Sequence, residues 1–308
     1  MIETQNLTKS YGDTLAVDNL SFTVKPGIVT GFLGPNGAGK STTMRMILGV
    51  DAPTSGTATV GGRSLVEHDL PLTSLGFLLE AGAVHPSRSA YDHLRALAVT
   101  NGISTARVDH VLDLVGLGEV AKRRSGGFSL GMGQRLGIAA ALLGDPEVVM
   151  LDEPVNGLDP EGILWIRNLL QNLAKEGRTV FVSSHLMSEM ELMAEHFVII
   201  GQGRLIEDIS ATDLRALAAG ESTTVRADRL GDLVGAMRAD GVEIVSTDRE
   251  TVSVSGLDAN EIGLIARDNG IALISLVPER RSLEDVFMSL TASSVQYHGG
   301  SGSTEMAA

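Results

Sequence analysis

The 308-residue chain contains no cysteine, so disulfide bonds and thiolate metal sites are excluded. Long apolar runs are also missing, because stretches such as IAAALL and FVII fall far short of the roughly 18–20 residues that span a bilayer. The opening MIETQNLTKSYG is mixed and polar, unlike the charged and then apolar pattern of a secretory leader. We therefore expect a cytoplasmic protein that would act at a membrane only through a membrane-embedded partner.

Basic residues are scarce relative to acidic ones. The chain has 24 Lys and Arg against 38 Asp and Glu, which gives a formal net charge of −14. A nucleic-acid binder usually presents a basic face, so this balance argues against nucleic acid as a partner. Apolar residues make up 43% of the chain, as in ordinary soluble globular proteins, and the length allows one large domain or two smaller ones.

Residues 1–215 predict an α/β domain built on a parallel sheet. Short β-rich segments with glycine between them fill residues 1–60, and helical patterns then alternate with strands such as EVVML and TVFVS. Such fully apolar strands are typical of a parallel sheet that helices cover on both faces. A helix is predicted for LMSEMELMAE, and a hairpin of FVII, GQG and RLIED closes the domain near residue 209.

Residues 216–290 predict a second, smaller α+β domain. Strand and helix patterns follow the order βαββαβ, which is typical of the ferredoxin-like fold, and SLEDVFMSL adds a last short helix. This region carries no chemical motif, so we expect a dimer-stabilising or regulatory addition. The tail 291–308, with HGGSGSTEMAA, has nothing to bury and is expected to be disordered.

The strongest motif is GPNGAGKST at 34–42, which fits the pattern G-x-x-x-x-G-K-[ST] between a predicted strand and a predicted helix. Its glycines let the backbone wrap a triphosphate, Lys40 would reach the β and γ phosphates, and the Ser41 hydroxyl would ligate Mg²⁺. A glycine-rich turn with an incidental lysine is the alternative, but the strand–loop–helix context disfavours it. The motif predicts a phosphate-binding loop.

Two further segments end apolar strands with polar side chains. EVVMLDEP would place Asp152 near the metal and Glu153 near the γ-phosphate, where Glu153 could deprotonate the attacking water. Alone, such an acidic pair would as readily cap the next helix. His185 follows TVFVSS at the sheet edge where α/β ligand sites lie, and it could hydrogen-bond the γ-phosphate. Alone, it would be interpreted as the start of a helix.

A second glycine-rich helix start and an early aromatic residue complete the set. FSLGMGQR at 128–135 precedes the apolar run LGIAAALL, so Ser129 and Gly131 would lie where backbone N–H groups can bind an anion. Tyr11 could stack on a purine ring, an interaction of about 1–3 kcal/mol, although a half-buried strand tyrosine is the ordinary alternative.

The order of these motifs resembles the nucleotide-binding domain of ABC transporters over about residues 1–215. FSLGMGQR lies where that family has its LSGGQ signature, and NGLD at 156–159 lies where it has its D-loop. The C-terminal part, with RSLEDVFMSLT, is similar to the accessory extension of drug- and antibiotic-exporting members. The resemblance implies a P-loop NTPase of ABC type, with a RecA-like sheet core, an N-terminal antiparallel β subdomain and a helical subdomain at about 81–135.

The resemblance also implies roles within a site for ATP and Mg²⁺. Tyr11 would stack on adenine, Ser41 and Asp152 would hold the metal, and Glu153 and His185 would be the catalytic base and the switch histidine. Ser129 and Gly131 would contact ATP on the other subunit of a head-to-tail dimer, and Asp159 would cross the dimer interface. The phosphate loop would comprise Gly34, Pro35, Asn36, Gly37, Ala38, Gly39, Lys40, Ser41 and Thr42.

The sequence departs from the family pattern at two places. Glu80, in LGFLLEAG, stands where the family usually has a glutamine that contacts a metal-bound water. A glutamate can accept a hydrogen bond from that water, but it lacks the amide N–H donor of glutamine. Leu130 and Met132 replace the first glycine and the glutamine of LSGGQ. The Ser129 hydroxyl and the open backbone at Gly131 are retained, so the anion site should be retained too.

The favoured function is ATP hydrolysis that powers export of a drug, antibiotic, peptide or lipid-like substrate through a separate integral membrane permease. The protein would then lie peripherally on the inner face of the membrane, with the segment around 80–125 facing the permease. The alternative is a soluble ABC-type ATPase acting on nucleic acid or ribosomes. That class normally carries a long inserted coiled coil or two cassettes with a basic linker, and this chain has neither pattern. A small-molecule P-loop kinase would leave FSLGMGQR and NGLDP unexplained.

Overall fold

The computed structural model describes residues 1–79, 84–218, 222–239, 241–246, 248, 250–279 and 282–292. The chain divides into two compact units, the first built mainly from Met1–Ala211 and the second from Thr212–Ser289. Glu80 and residues 293–308 of the predicted tail lie outside the described residues. In the described part of the chain, no helix has the length and apolar character needed to cross a bilayer.

The strands of the first unit form two sheets. They are β1 (Ile2–Tyr11), β2 (Thr14–Val24), β3 (Val29–Leu33), β4 (Ser55–Val60), β5 (Leu75–Leu78), β6 (Val148–Asp152), β7 (Thr179–Ser184), β8 (His196–Gly201) and β9 (Arg204–Ser210). An antiparallel sheet has the order β2-β1-β4, and a six-stranded sheet has the order β5-β6-β7-β3-β8-β9. In the larger sheet β9 is antiparallel to β8 and the other pairs are parallel. The parallel sheet and the closing hairpin predicted from the sequence are confirmed.

Eight α-helices lie between Lys40 and Ala218 among the described residues, and the last of them falls almost wholly in the second unit. They are α1 (Lys40–Ile47), α2 (Pro71–Ser74), α3 (Ala90–Thr100), α4 (Ala106–Leu114), α5 (Leu130–Leu142), α6 (Pro160–Lys175), α7 (Met187–Met190) and α8 (Ala211–Ala218). Short 3₁₀ turns occur at Leu65–Glu67, Gly118–Val120 and Ser125–Gly127.

The helix predicted for LMSEMELMAE was too long, because α7 is a single turn. Beyond Met190 the bonds from Leu192 N to Glu189 O and from Met193 N to Met190 O span only three residues, and they are mixed with a four-residue bond from Ala194 N to Met190 O. Glu195 N already bonds Val29 O, beside the first residue of β3. The chain therefore has to leave the helix early in order to enter the sheet as β8.

The parallel strands are buried because helices cover the sheet. All five residues of β3 and all six of β7 are buried. The rings of Phe22, Phe32 and Phe181 pack together with centroids 5.0–5.6 Å apart, which joins the two sheets in one core. Because the carboxyl ends of parallel strands meet at one edge, the residues after β3, β6 and β7 are brought together there.

The second unit is a four-stranded antiparallel sheet with two helices between its strands. In chain order it contains β10 (Ser222–Ala227), α9 (Leu230–Met237), β11 (Glu243–Ser246), β12 (Val252–Ser255), α10 (Ala259–Asp268) and β13 (Leu273–Glu279), and the helix α11 (Leu283–Thr291) follows. The sheet order β11-β12-β10-β13 confirms the predicted βαββαβ, ferredoxin-like arrangement. Its core includes the fully buried Val225, Leu233, Val254 and Ile262.

Candidate functional site

The phosphate loop joins β3 to α1 through two left-handed glycines. Gly37 has φ +81° and Gly39 has φ +101°, and a Cβ on Gly39 would lie 2.6 Å from Ala16 O. No side chain caps α1 and no acidic residue lies in its first turn. Its first N–H groups and the positive end of its dipole are therefore left for an anion, and the loop lines a cavity of about 290 Å³ with Asp152 and Glu153.

Lys40 lies in this loop and is 7% exposed. Its Nζ donates to Gly34 O at 2.6 Å and to Pro35 O at 3.3 Å, so the ammonium group folds back on its own loop. Burial lowers the pKa of Lys40, and the carboxylates of Glu153 and Asp152 oppose that effect. A phosphate that took over the two carbonyl contacts would be bound by a partly desolvated charge, which strengthens the attraction.

Ser41 and Asp152 meet beside the loop. The Ser41 Oγ donates to Asp152 Oδ2 at 2.8 Å, although 111 positions separate the two residues in the chain. A hydroxyl and a carboxylate side by side are hard oxygen ligands of the kind that Mg²⁺ prefers, and Mg²⁺ usually takes only one or two protein ligands beside phosphate oxygens. These two residues therefore fit a magnesium ion.

Glu153 and His185 form a close pair at the same edge. His185 Nδ1 lies 2.9 Å from each oxygen of the Glu153 carboxylate. An ionised carboxylate only accepts hydrogen bonds, so this geometry assigns the proton to Nδ1 and leaves Nε2 unprotonated in the neutral ring. The Glu153 backbone has φ +49°, a left-handed conformation that is uncommon outside glycine. The arrangement can hold and orient a general base.

Two polar residues in this neighbourhood were missed from the sequence. Ser183 is fully buried, accepts a hydrogen bond from Glu153 N at 3.0 Å and donates one to Asp152 Oδ1. Gln134 is 5% exposed, and its Nε2 donates to Glu153 O at 3.2 Å. The sequence did contain two signals for these residues: a serine within the largely apolar TVFVSS, and a glutamine before LGIAAALL. Burying a polar side chain costs free energy unless it forms a hydrogen bond, so each signal indicates a bonded group.

Tyr11 is the last residue of β1, and 47% of its surface is exposed. Its hydroxyl donates to Asp51 Oδ2 at 2.7 Å, and the Nζ of Lys9 lies 4.9 Å from its ring centroid. An accessible ring of this kind can stack on a base.

Ser129 caps α5, and its Oγ accepts from Met132 N at 3.3 Å. It lines a cavity of about 370 Å³ with Pro86, Phe128 and other residues, and that cavity shares no lining residue with the phosphate-loop cavity. Leu130 packs on Gly157, where an added Cβ would lie 2.3 Å from Leu130 Cδ2. A Cβ on Gly131 would lie 3.1 Å from Gly157 O, so the start of α5 packs against NGLD of its own chain.

Asp159 caps α6. Its Oδ1 accepts from Gly162 N at 2.8 Å, and Pro160 occupies the first helical position, where its missing N–H costs nothing. The structure thus gives Asp159 a capping role within its own chain.

Comparison with known proteins identifies the family. A model described as ABC transporter matches residues 17–156. Bacitracin transport ATP-binding protein BcrA of Bacillus licheniformis is 45% identical over 218 residues, which cover 70% of this chain and 71% of that protein. The chain belongs to the ABC transporter ATP-binding proteins. It is the ATP-binding subunit of such a transporter, and a role on nucleic acid or ribosomes is not favoured.

Other members of the ABC family extend the match. Linearmycin resistance ATP-binding protein LnrL of Bacillus subtilis is 33% identical over 305 residues, which cover 94% of this chain and 98% of that protein. A dimeric ATP-binding cassette, solved in a post-hydrolysis state with ADP and Pi, is 25% identical with a TM-score of 0.63 and covers 68% of this chain and 99% of that chain. A model described as a domain of unknown function matches residues 221–284.

Proposed function

We propose that this protein hydrolyses ATP to power export of a drug, antibiotic, peptide or lipid-like substrate through a separate integral membrane permease. The observation that carries the proposal is the meeting of Ser41, Asp152, Glu153 and His185 at the mouth of one phosphate loop. Two relatives are named for bacitracin transport and linearmycin resistance, which supports an antibiotic within this substrate class.

The chain's own residues supply binding and acid–base chemistry. Tyr11 stacks on adenine, and residues Gly34 to Thr42 hold the phosphates, with Lys40 exchanging its loop carbonyls for β and γ oxygens. Ser41 and Asp152 would hold Mg²⁺, which would neutralise charge on the phosphates when bound. Glu153 accepts the proton of the attacking water, and His185 orients the Glu153 carboxylate through Nδ1.

The active form we propose is a head-to-tail dimer. Ser129 lines a different cavity from the phosphate loop, which supports a contact of Ser129 and the neighbouring Gly131 with ATP bound to the second copy. Closure of the dimer would exclude water and complete the site. Residues 1–215 would form the ATPase domain, with a helical subdomain at about 81–135, and 216–290 the accessory domain. The segment around 80–125 would meet the permease on the inner face of the membrane.

Replacement of the base tests the chemistry. Glu153→Gln should bind ATP but hydrolyse it roughly 10²–10⁴-fold more slowly, because an amide cannot take the water's proton. The matched control is Glu147→Gln. Glu147 is an exposed glutamate that directly precedes the first residue of β6, whereas Glu153 follows its last residue. Steady-state phosphate release measures both variants, and unchanged turnover in Glu153→Gln would remove Glu153 from this role.

The transport role has its own test. Purification from membranes should recover the protein with a polytopic membrane protein, and the reconstituted pair should show drug-stimulated ATPase activity. Stimulation by RNA or DNA, with no membrane partner recovered, would contradict export.

A further inference from the structure

Ser183 is the residue of β7 that contacts both acidic residues at the end of β6. It stands opposite Asp152 in the parallel register of the two strands and is fully buried. Its Oγ donates to Asp152 Oδ1 and accepts from Glu153 N at 3.0 Å. A hydroxyl has one donor and two acceptor positions, so a single atom can make both bonds at once.

The first bond fixes the Asp152 carboxylate. Ser183 takes Oδ1, while Ser41 takes Oδ2 at 2.8 Å, so each oxygen has a defined partner. With Oδ1 bonded from the β7 side, rotation about the carboxyl bond is restrained. Oδ2 is then the oxygen that remains directed at the phosphate loop.

The second bond helps to hold the Glu153 backbone in its left-handed conformation. Such a conformation costs a non-glycine residue roughly 1–2 kcal/mol and persists only where the surroundings hold it. Glu153 N donates to Ser183 Oγ and, at 3.3 Å, to Ser183 O. Gln134 Nε2 donates to Glu153 O at 3.2 Å, so both backbone polar groups of Glu153 are held.

We propose that Ser183 is a positioning residue for ATP hydrolysis, its hydroxyl setting at once the orientation of the Asp152 carboxylate and the backbone of Glu153. This inference rests on the function proposed above, in which Asp152 holds Mg²⁺ and Glu153 is the base. A fully buried hydroxyl costs free energy unless it is bonded, and here both bonds go to the two residues that carry the chemistry.

The test is Ser183→Ala in the full-length chain. We expect kcat to fall about tenfold or more, the scale of losing a hydrogen bond to a charged group. The Mg²⁺ concentration for half-maximal activity should rise, because Asp152 loses its fixed orientation. ATP binding measured in EDTA should stay as in the wild type, since Ser183 does not line the phosphate-loop cavity. Ser183→Thr keeps the hydroxyl and should restore the wild-type Mg²⁺ requirement.

Thr30→Val is the matched control. Thr30 is fully buried on the neighbouring strand β3, and its Oγ1 has no hydrogen-bond partner among the described residues. The control therefore removes a buried hydroxyl of the same sheet without removing a bond, and it should keep wild-type kcat and Mg²⁺ dependence.

Two outcomes would overturn the inference. One is wild-type kcat and Mg²⁺ dependence in Ser183→Ala. The other is a loss of ATP binding in EDTA that matches the loss of activity, which would indicate a general structural defect. Glu153→Gln, assayed in parallel, separates this result from the proposed function: wild-type hydrolysis there would refute the base itself, whatever Ser183→Ala shows.

Discussion

The hydroxyl of Tyr11, at the end of β1, donates a hydrogen bond to the carboxylate of Asp51. The Arg45 guanidinium and then the Tyr11 hydroxyl, both donating to Asp51, lower the pKa of that carboxyl from its ordinary 3.8 to about 2. A depressed carboxyl pKa contributes stability that is present above the ordinary value and is lost as the pH falls from about 3.8 towards about 2. The contact is therefore intact at neutral pH, where ATP would bind.

We predict that Tyr11→Ala weakens ATP binding by about 1–3 kcal/mol, the usual contribution of a base stacked on an aromatic ring. Tyr11→Phe is the matched control, because it keeps the ring and removes only the bond to Asp51. Equilibrium titration with a fluorescent ATP analogue measures both. Equal affinity in Tyr11→Ala and the wild type would show that adenine does not stack there.

At the scale of elements, Asp159 at the start of α6 could have two roles, as the cap of this helix and as a contact between subunits. Asp159 caps this helix through Gly162 N, and asparagine is about as good an N-cap as aspartate. We predict that Asp159→Ala costs about 1 kcal/mol of stability, whereas Asp159→Asn keeps the thermal unfolding temperature.

If the negative charge of Asp159 also makes a contact across the dimer interface, ATPase activity should fall in both Asp159→Ala and Asp159→Asn. Activity that follows stability alone, retained in Asp159→Asn and reduced in Asp159→Ala, would restrict Asp159 to its capping role. Thermal unfolding and phosphate release on the same preparations separate the two cases.

Local sequence patterns were sufficient to predict some helices and strands but not where each of them ends. β3, β6 and β7 were predictable because a parallel strand covered on both faces is apolar over most of its length. The helix after His185 was predicted too long, since buried Met187, Met190 and Met193 keep a helical spacing that says nothing about when the chain has to rejoin the sheet. That end point depends on Glu195 pairing with Val29, which is a contact between distant segments.

At the scale of the whole molecule, the separation of the two anion sites predicts complementation. Lys40→Ala removes the phosphate-loop charge, and Ser129→Arg places a large cation at the start of α5, so each homodimer should be inactive. A heterodimer of the two, isolated through two different affinity tags, contains one composite site with both residues intact. We expect it to hydrolyse ATP well above either parent; activity no higher than the parents would contradict the head-to-tail dimer.

The sequence by itself determined the phosphate loop, the apolar strands and the βαββαβ order of the second unit. These depend on neighbouring residues: glycine conformations, apolar periodicity and turns. It also placed Asp152, Glu153 and His185 after strands, where parallel topology brings side chains to one edge.

Only the tertiary structure decided which side chains hold those groups. Ser183 reaches Asp152 across 31 positions and Gln134 reaches Glu153 across 19. Both contacts require the register of β6 against β7 and the packing of α5, and neither is encoded in a local pattern. A hydrogen bond depends on the distance and the direction between two atoms. Both are known only from the folded structure, so these contacts could not be predicted from the sequence.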